Sequence, residues 1–469
     1  MRRMANMDRH ALRDALAYVD RWVAFRREFR DIPGLVIAVR HADELAWSKA
    51  YGFAQLDPPV PMTTRHIFRI ASHSKTFTAT AIMQLVERAR LRLDDPASAY
   101  IPWLTSDATI RQLLNHVSGI IRDGIQADFW RVEQPFPDVA ELRALAADYA
   151  VLPSNTSFKY SNVGYALLGL VIESVSGRPY NQYVKEQIID RLRLSDTGPE
   201  LDAHAASRAV SGYTGTVLGV PRRAVPNIDT RALSPATGFY STAEDLCRYG
   251  AAHWIGDETL LTDASKREMQ HPSWEVEQSE DRYGLGFSVQ HIGERRLVGH
   301  GGGFPGQSSR TLIDPAEQLV VVVLSNTSAP DGLAAPIATQ IISIIDFAQD
   351  RARRGNATLS GSLERYVGRF AHIGGAVDVV AFGGSLVALW PEAESPVRFA
   401  AELEVIERDR LRVAKAGGYG SAGELVRYDR DQDGKITRMI VGGVSMYPEA
   451  VFRERYAERP HWHSISATP

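Results

Sequence analysis

The chain opens with an apolar stripe at helical spacing. Leu12, Leu16, Val19, Trp22, Val23 and Phe29 share one face and predict an amphipathic helix over residues 8–30. Two short apolar runs follow, Leu35–Val39 and Leu45–Lys49, joined at His41–Glu44, and predict a pair of strands. Helical spacing returns at Ala79, Ile82, Met83 and Val86. It returns again at Ala166, Leu167, Leu170, Val171 and Val175, where Gly177 supplies a stop. Residues 96–250 read as helices and loops. Beyond them Gly284–Val289, Arg296–Val298, Arg310–Ile313 and Gln318–Leu324 predict antiparallel strands, the last two joined by the turn Asp314–Glu317. Ile337, Ile341, Ile342 and Ile345 then mark one face of a helix over residues 332–352.

The texture changes after Arg351-Ala-Arg-Arg-Gly-Asn356, a charged, polar break that reads as a linker. Short alternating runs at Ala376–Ala381, Ser385–Leu389, Leu411–Val413, Glu424–Tyr428 and Ile436–Val441 are parted by Gly, Asp and Pro signals. That is an all-β pattern, a small barrel or sandwich. A chain of 469 residues is too long for one modest domain, and two are expected, over 1–352 and 356–469.

Composition narrows the function. Lys plus Arg number 53 against 56 Asp plus Glu, a net charge of −3. Such balance gives no electrostatic reason to expect nucleic acid or an anionic membrane surface as a partner. No apolar run reaches the length of about 18 residues that a membrane span needs. Met1–His10 is charged and lacks a following apolar stretch, so it does not resemble an export signal, and a cytoplasmic location is expected. The single cysteine, Cys247, excludes an intrachain disulfide framework. It falls in a helix expected after the capping-box pattern Ser241-Thr-Ala-Glu244 and reads as a packed thiol.

Three stretches carry candidate chemistry. Ser72-His-Ser-Lys75 stands at the start of a predicted helix, so Ser72 and Lys75 share a face. A desolvated lysine there can take the proton of a serine nucleophile, and free N–H groups at the helix start can face negative charge. The ordinary alternative is a capping serine, Ser72 or Ser74, and a solvated lysine. Tyr160-Ser-Asn162 lies on a loop before the next helix, where a phenol can serve as base or acid beside cations. There the ordinary alternative is an Asn162 cap and a rim aromatic. Gly299-His-Gly-Gly-Gly-Phe-Pro-Gly306 follows an apolar run; glycines in a strand mark a close approach to the backbone. It is no phosphate loop, for it lacks the G-x-x-x-x-G-K-[ST] pattern.

In this order S-x-x-K, Y-x-N and H-x-G resemble the serine β-lactamase and penicillin-binding protein superfamily. The likeness is to the branch of class C β-lactamases, DD-peptidases, D-aminopeptidases and β-lactamase-fold esterases. Thr109–Ile120, Pro235–Leu246 and Leu91–Pro96 match landmarks of that branch, and the likeness runs from about Asp20 to about Asn326. It implies an α+β catalytic domain, an antiparallel sheet flanked by helices with a helical subdomain and the site between them. Leu363–Phe370 is similar, more weakly, to the start of lipocalin-like C-terminal modules. The resemblance implies an acyl-enzyme on Ser72, with Lys75 and Tyr160 as the proton-handling pair, either one as base. It implies an oxyanion hole from the N–H groups of Ser72 and Gly303, and substrate contacts from Asn162, His300 and Gly302. It requires no metal or cofactor.

Histidine stands where class C β-lactamases carry Lys-Thr-Gly, so recognition of a terminal carboxylate is not expected. A Tyr160–Asn162 pair with H-x-G favours small peptides or amides, including D-residues, with esters as the alternative. A β-lactamase or a non-catalytic binding protein ranks lower, since all three motifs are intact. The C-terminal domain is the candidate for gating the cleft or for homo-oligomer formation. Asp429–Lys435 copies half of a calcium loop but lies between predicted strands and reads as a turn. His461 and His463 stand without a third ligand nearby in sequence.

Overall fold

The computed structural model describes residues 7–147, 150–328, 334–355, 363–417 and 421–457. They fall into two compact units. One holds Asp31–Thr339; the other gathers the first helix and the chain from Gln340 onward.

The first unit is built on a nine-stranded sheet whose neighbours all run antiparallel. At its centre Gly34–His41 pairs with Leu319–Ser325, Leu35 opposite Ser325 and His41 opposite Leu319. Both strands are nearly continuous runs of Val, Ile, Leu and Ala, because both faces are covered. Glu44–Gln55 flanks one side of this pair. Gln307–Asp314, Arg295–Phe304 and Ser288–Ile292 follow in turn on the other. The strand expected from Gly284 begins only at Ser288. Gly286 stands at φ +82°, and a Cβ there would lie 2.3 Å from the methyl of Ala79. The chain therefore turns at this point to press against a helix, with the Gly284 N–H donating to Phe287 O at 2.8 Å.

That helix, Ser74–Glu87, was expected to show one apolar face. Instead every residue from Ser74 to Leu85 is buried. Its threonines make this affordable. Thr76 and Thr80 donate back to helix carbonyls at 2.9 Å, and Thr78 donates to Pro235 O at 2.6 Å. Phe77 stacks on Tyr249 at 3.8 Å and on Phe239 at 4.5 Å, pairs worth about 0.5–1.5 kcal/mol each beyond burial. The helix Asn162–Ser176 starts on a Ser161 cap and stops at Gly177, φ +71°. Ala243–Ala251 starts on Thr242, whose side chain accepts from the Asp245 N–H. Cys247 is buried within it, and burial pushes its thiol far above the ordinary range.

The second unit holds the helix Arg9–Phe29 and a closed barrel of eight strands, from Gly368–His372 to Val444–Pro448, all neighbours antiparallel. The first and last strands join through Phe370 opposite Pro448 and Ala371 opposite Tyr447. Phe370, Val379, Leu386, Leu411, Val426 and Met439 lie in its core. The break expected at Arg351 is helical: Ala334–Arg354 runs through it. Arg351 lies over the Phe347 ring at 5.1 Å and pairs with Glu402 at 2.8 Å, so its charge is spent on packing. Asn356 lies outside the described residues, as do His461 and His463. Asp431–Lys435 forms a turn between two strands, with Asp431 Oδ1 accepting from the Asp433 and Lys435 N–H groups. Among the described residues no helix is long and apolar enough to cross a membrane.

Candidate active site

Ser72 sits in a short 3₁₀ turn, Ala71–His73, that feeds the buried helix. Ala71 is left-handed at φ +50°, a conformation costing a side chain of order 1 kcal/mol. Contacts on both sides hold it. The Ile70 N–H donates to Phe239 O at 2.9 Å, and Ile70 O accepts from Ser309 Oγ at 2.9 Å. Ser74 Oγ donates to Ala71 O at 2.5 Å and accepts from the Phe239 N–H at 3.0 Å. Ser74 is thus a buried structural bridge, and Ser72, half-buried, is the hydroxyl left for chemistry. His73 is buried and held neutral by desolvation, its pKa lowered to about 3.

Lys75 is completely buried. Its Nζ lies 2.6 Å from Asn162 Oδ1, 2.9 Å from Ala236 O and 3.2 Å from Ser72 Oγ. The two oxygens of Asn162 and Ala236 can only accept. A neutral amine donating to both would turn its lone pair to Ser72, whereas an ammonium donates to all three. Burial pushes the Lys75 pKa well below its ordinary value; the nearby Asp123 carboxylate opposes this and Arg122 adds to it.

Tyr160 flanks the pair. Its ring lies 4.8 Å from Lys75 Nζ and 5.1 Å from the Arg122 guanidinium. Burial pushes its phenol far above the ordinary range; a hydrogen bond with Ser72 and the charge of Arg122 pull the other way. His116 stacks beside Tyr160 at 4.2 Å and accepts the Ser161 N–H on Nδ1 at 3.1 Å.

The glycine strand, Arg295–Phe304, pairs with Ser288–Ile292 only as far as Gly299. From His300 onward that side of the strand runs along the nucleophile segment. A Cβ on Gly302 would meet Ile70 O at 2.0 Å and Ser309 Oγ at 2.6 Å, so no side chain fits. A Cβ on Gly303 would meet nothing within 4 Å, so this residue borders open space. His300 is buried, with Nδ1 2.5 Å from Gly301 O and Nε2 3.0 Å from Tyr283 OH. A carbonyl only accepts, so Nδ1 carries the proton and Tyr283 donates to Nε2. Burial first, and then the charge of Lys75, hold His300 well below its ordinary pKa.

Ser72, Lys75 and Asn162 thus meet directly, Tyr160 adjoins them, and His300, Gly302 and Gly303 lie on the strand alongside. Asp123, His116, Tyr283 and the carbonyl of Ala236 belong to the same cluster but carry no motif of their own. His116 and Ala236 fall inside the landmark stretches Thr109–Ile120 and Pro235–Leu246. Asp123 and Tyr283 lie outside them.

A serine held against a buried lysine, on a sheet with a helical layer, is the arrangement expected of the serine β-lactamase and penicillin-binding protein superfamily. A family model described as Beta-lactamase matches residues 19–344, and the chain belongs to that family. Protein flp of Staphylococcus aureus (strain MW2) is 27% identical over 329 residues, covering 66% of this chain. The match spans 64% of that protein, less than two thirds of its length. An octameric penicillin-binding protein homologue from Pyrococcus abyssi superposes with a TM-score of 0.64 at 23% identity, covering 92% of this chain and 99% of its own. A D-stereospecific amidohydrolase from Streptomyces sp. gives a TM-score of 0.57 at 26% identity, covering 68% of this chain and 94% of its own.

Proposed function

We propose that the protein hydrolyses small peptides or amides, D-residues among them, through an acyl-enzyme on Ser72. The observation that carries this reading is the environment of Lys75: fully buried and within hydrogen-bond distance of Asn162 Oδ1, Ala236 O and Ser72 Oγ, so that the neutral amine of the proposed step would turn its lone pair to Ser72. In the proposed step Ser72 Oγ attacks the carbonyl carbon and its proton passes to Lys75 Nζ. The oxyanion meets the N–H groups of Ser72 and Gly303; one such donor typically lowers a barrier by about 3 kcal/mol. The C–N bond then breaks, the leaving nitrogen takes a proton from Tyr160 or Lys75, and water releases the acyl group by the reverse route. A phenol that burial keeps protonated is a poor general base, which favours Lys75 as the base of the proposed step.

The family and the likeness to a D-stereospecific amidohydrolase support amide chemistry. Esters are the second reading: Asn162 is engaged at both ends, its oxygen by Lys75 and its nitrogen by Asp123, which leaves it one N–H and one lone pair for a substrate amide. Self-association through the second unit is part of the proposal, to be read as molar mass by light scattering.

The test is turnover of matched p-nitroanilide and p-nitrophenyl derivatives of L- and D-alanine, with nitrocefin, by wild type and Ser72→Ala. Anilide cleavage that needs Ser72 supports the amidase reading, and the D/L ratio gives its stereochemistry. Ester cleavage alone supports the second reading. Activity surviving Ser72→Ala would remove the mechanism.

A further inference from the structure

The segment Ile121–Asp123 is bound to the start of the helix that carries Asn162. Ser161 Oγ donates to Ile121 O at 2.7 Å. The Asn162 and Val163 N–H groups donate to Arg122 O at 2.8 and 3.2 Å. These bonds satisfy donors that a helix start leaves open, and they set the next residue, Asp123, directly over the Asn162 side chain. Asp123 is buried, and its Oδ1 accepts from Asn162 Nδ2 at 2.6 Å. An amide held by its nitrogen in this way can present only its oxygen to Lys75, which it does at 2.6 Å.

We propose that Asp123 is a positioning residue for the nucleophile: through Asn162 it fixes the Lys75 amine toward Ser72, and it supplies the negative charge that keeps that amine basic. The inference rests on the acyl-enzyme reading above. The other titratable or charged groups that face Lys75 are Arg122, His116, Tyr160, Tyr165 and His300. The two histidines are held neutral and the two phenols protonated, all by burial. Arg122 is positive and its side chain is 63% exposed. Asp123 is therefore the group in this set that brings negative charge to the lysine.

The test separates geometry from charge. Rates of Ser72 labelling by a fluorophosphonate probe are measured across pH on the full chain for wild type, Asp123→Ala, Asp123→Asn and Asn162→Ala, and for Asp123→Ala combined with Asn162→Ala. Thermal unfolding confirms that each variant folds. Asp123→Ala frees the amide and slows labelling roughly 5- to 100-fold, the cost of unpairing one buried polar group. Asp123→Asn keeps an acceptor for Asn162 and recovers most of that rate, but moves the acid limb of the profile to lower pH. Once Asn162 is alanine, removing Asp123 leaves the plateau rate unchanged and moves only the acid limb. Titration of ¹³C-labelled Lys75, assigned by its loss in Lys75→Met, reads the same charge without any activity. Its midpoint falls in both Asp123 variants. Wild-type labelling that does not need Ser72 would sink the function proposed above, while the titration still decides this inference. Wild-type labelling rates in Asp123→Ala, full additivity with Asn162→Ala, or an unmoved Lys75 titration would each overturn the role of Asp123.

Discussion

Replacing Lys75 by methionine should change how stability depends on pH, and the sign follows from burial. Desolvation lowers the folded-state pKa of Lys75 below its ordinary value, which the unfolded chain retains. Below the folded value both states hold the proton, and the native state bears the whole cost of a buried cation. Between the two values the unfolded chain binds one proton more than the native chain. Stability then rises with pH by up to about 1.4 kcal/mol per unit. Above the unfolded value the cost has vanished. Methionine keeps the length of the side chain and removes the proton site. It also leaves Asn162 Oδ1 and Ala236 O without their donor, at about 1–3 kcal/mol each. That loss is independent of pH, so the slope, not the absolute difference, isolates the lysine. Urea unfolding of wild type and Lys75→Met, run from about pH 6 to about pH 10, spans the region below the ordinary lysine value. Wild type should gain on the variant as pH rises, while the variant loses Ser72 labelling at every pH. A flat difference, or one that falls with pH, would refute the claim that burial dominates at Lys75.

Gly302→Ala should distort the site and lower stability, because its methyl would meet the Ile70 carbonyl and Ser309 Oγ, whereas Gly303→Ala should fold like wild type; unfolding midpoints of the pair compare them directly. Imidazole NMR should find His300 still neutral at its ordinary pKa, with no limb of the activity profile assigned to it, and a protonation step there would overturn the Tyr283–His300–Gly301 arrangement. Arg122→Met should shift the acid limb to higher pH, opposite to Asp123→Asn, because Arg122 lowers Lys75. The shift should be small and should shrink with added salt, since that guanidinium is largely exposed.

What could be read from the chain and what could not divides along one line, the range of the interaction. Helical spacing located the first helix within one residue at each end, and Gly177 stops its helix as a left-handed cap. Alternation revealed an all-β C-terminal domain, but barrel rather than sandwich depends on a seam joining Ala371 to Tyr447. Leu285, Phe287 and Val289 alternate like a strand, yet the first two are buried by a turn against the helix of Lys75. Arg351 read as part of a linker because its ion-pair partner, Glu402, lies far along the chain. At the site, the S-x-x-K spacing singles out Ser72, while the structural use of Ser74 depends on the Phe239 N–H, far along the chain, as well as on the local Ala71 carbonyl. Asp123 announces nothing locally, since its meaning lies in an amide 39 residues away.

The polar groups of the site are largely used on one another, and this bears on specificity. Asn162 is held at both ends, both nitrogens of His300 are occupied, and Lys75 spends two donors on Asn162 and Ala236. On the acyl-enzyme reading, few side chains are left to hydrogen-bond a substrate. Recognition then falls to the strand edge beside Ser72 and to shape. An apolar cluster adjoins both proposed oxyanion donors through the chain itself. Ala71 precedes Ser72, Phe304 follows Gly303, and both pack with Phe129, Phe136 and Leu233. All five are buried to 2% or less, so they pack behind the donors and hold them rather than presenting a surface to a substrate. On the same reading the protein would pair a tightly held Ser72 with acyl recognition that relies on few hydrogen-bonding side chains.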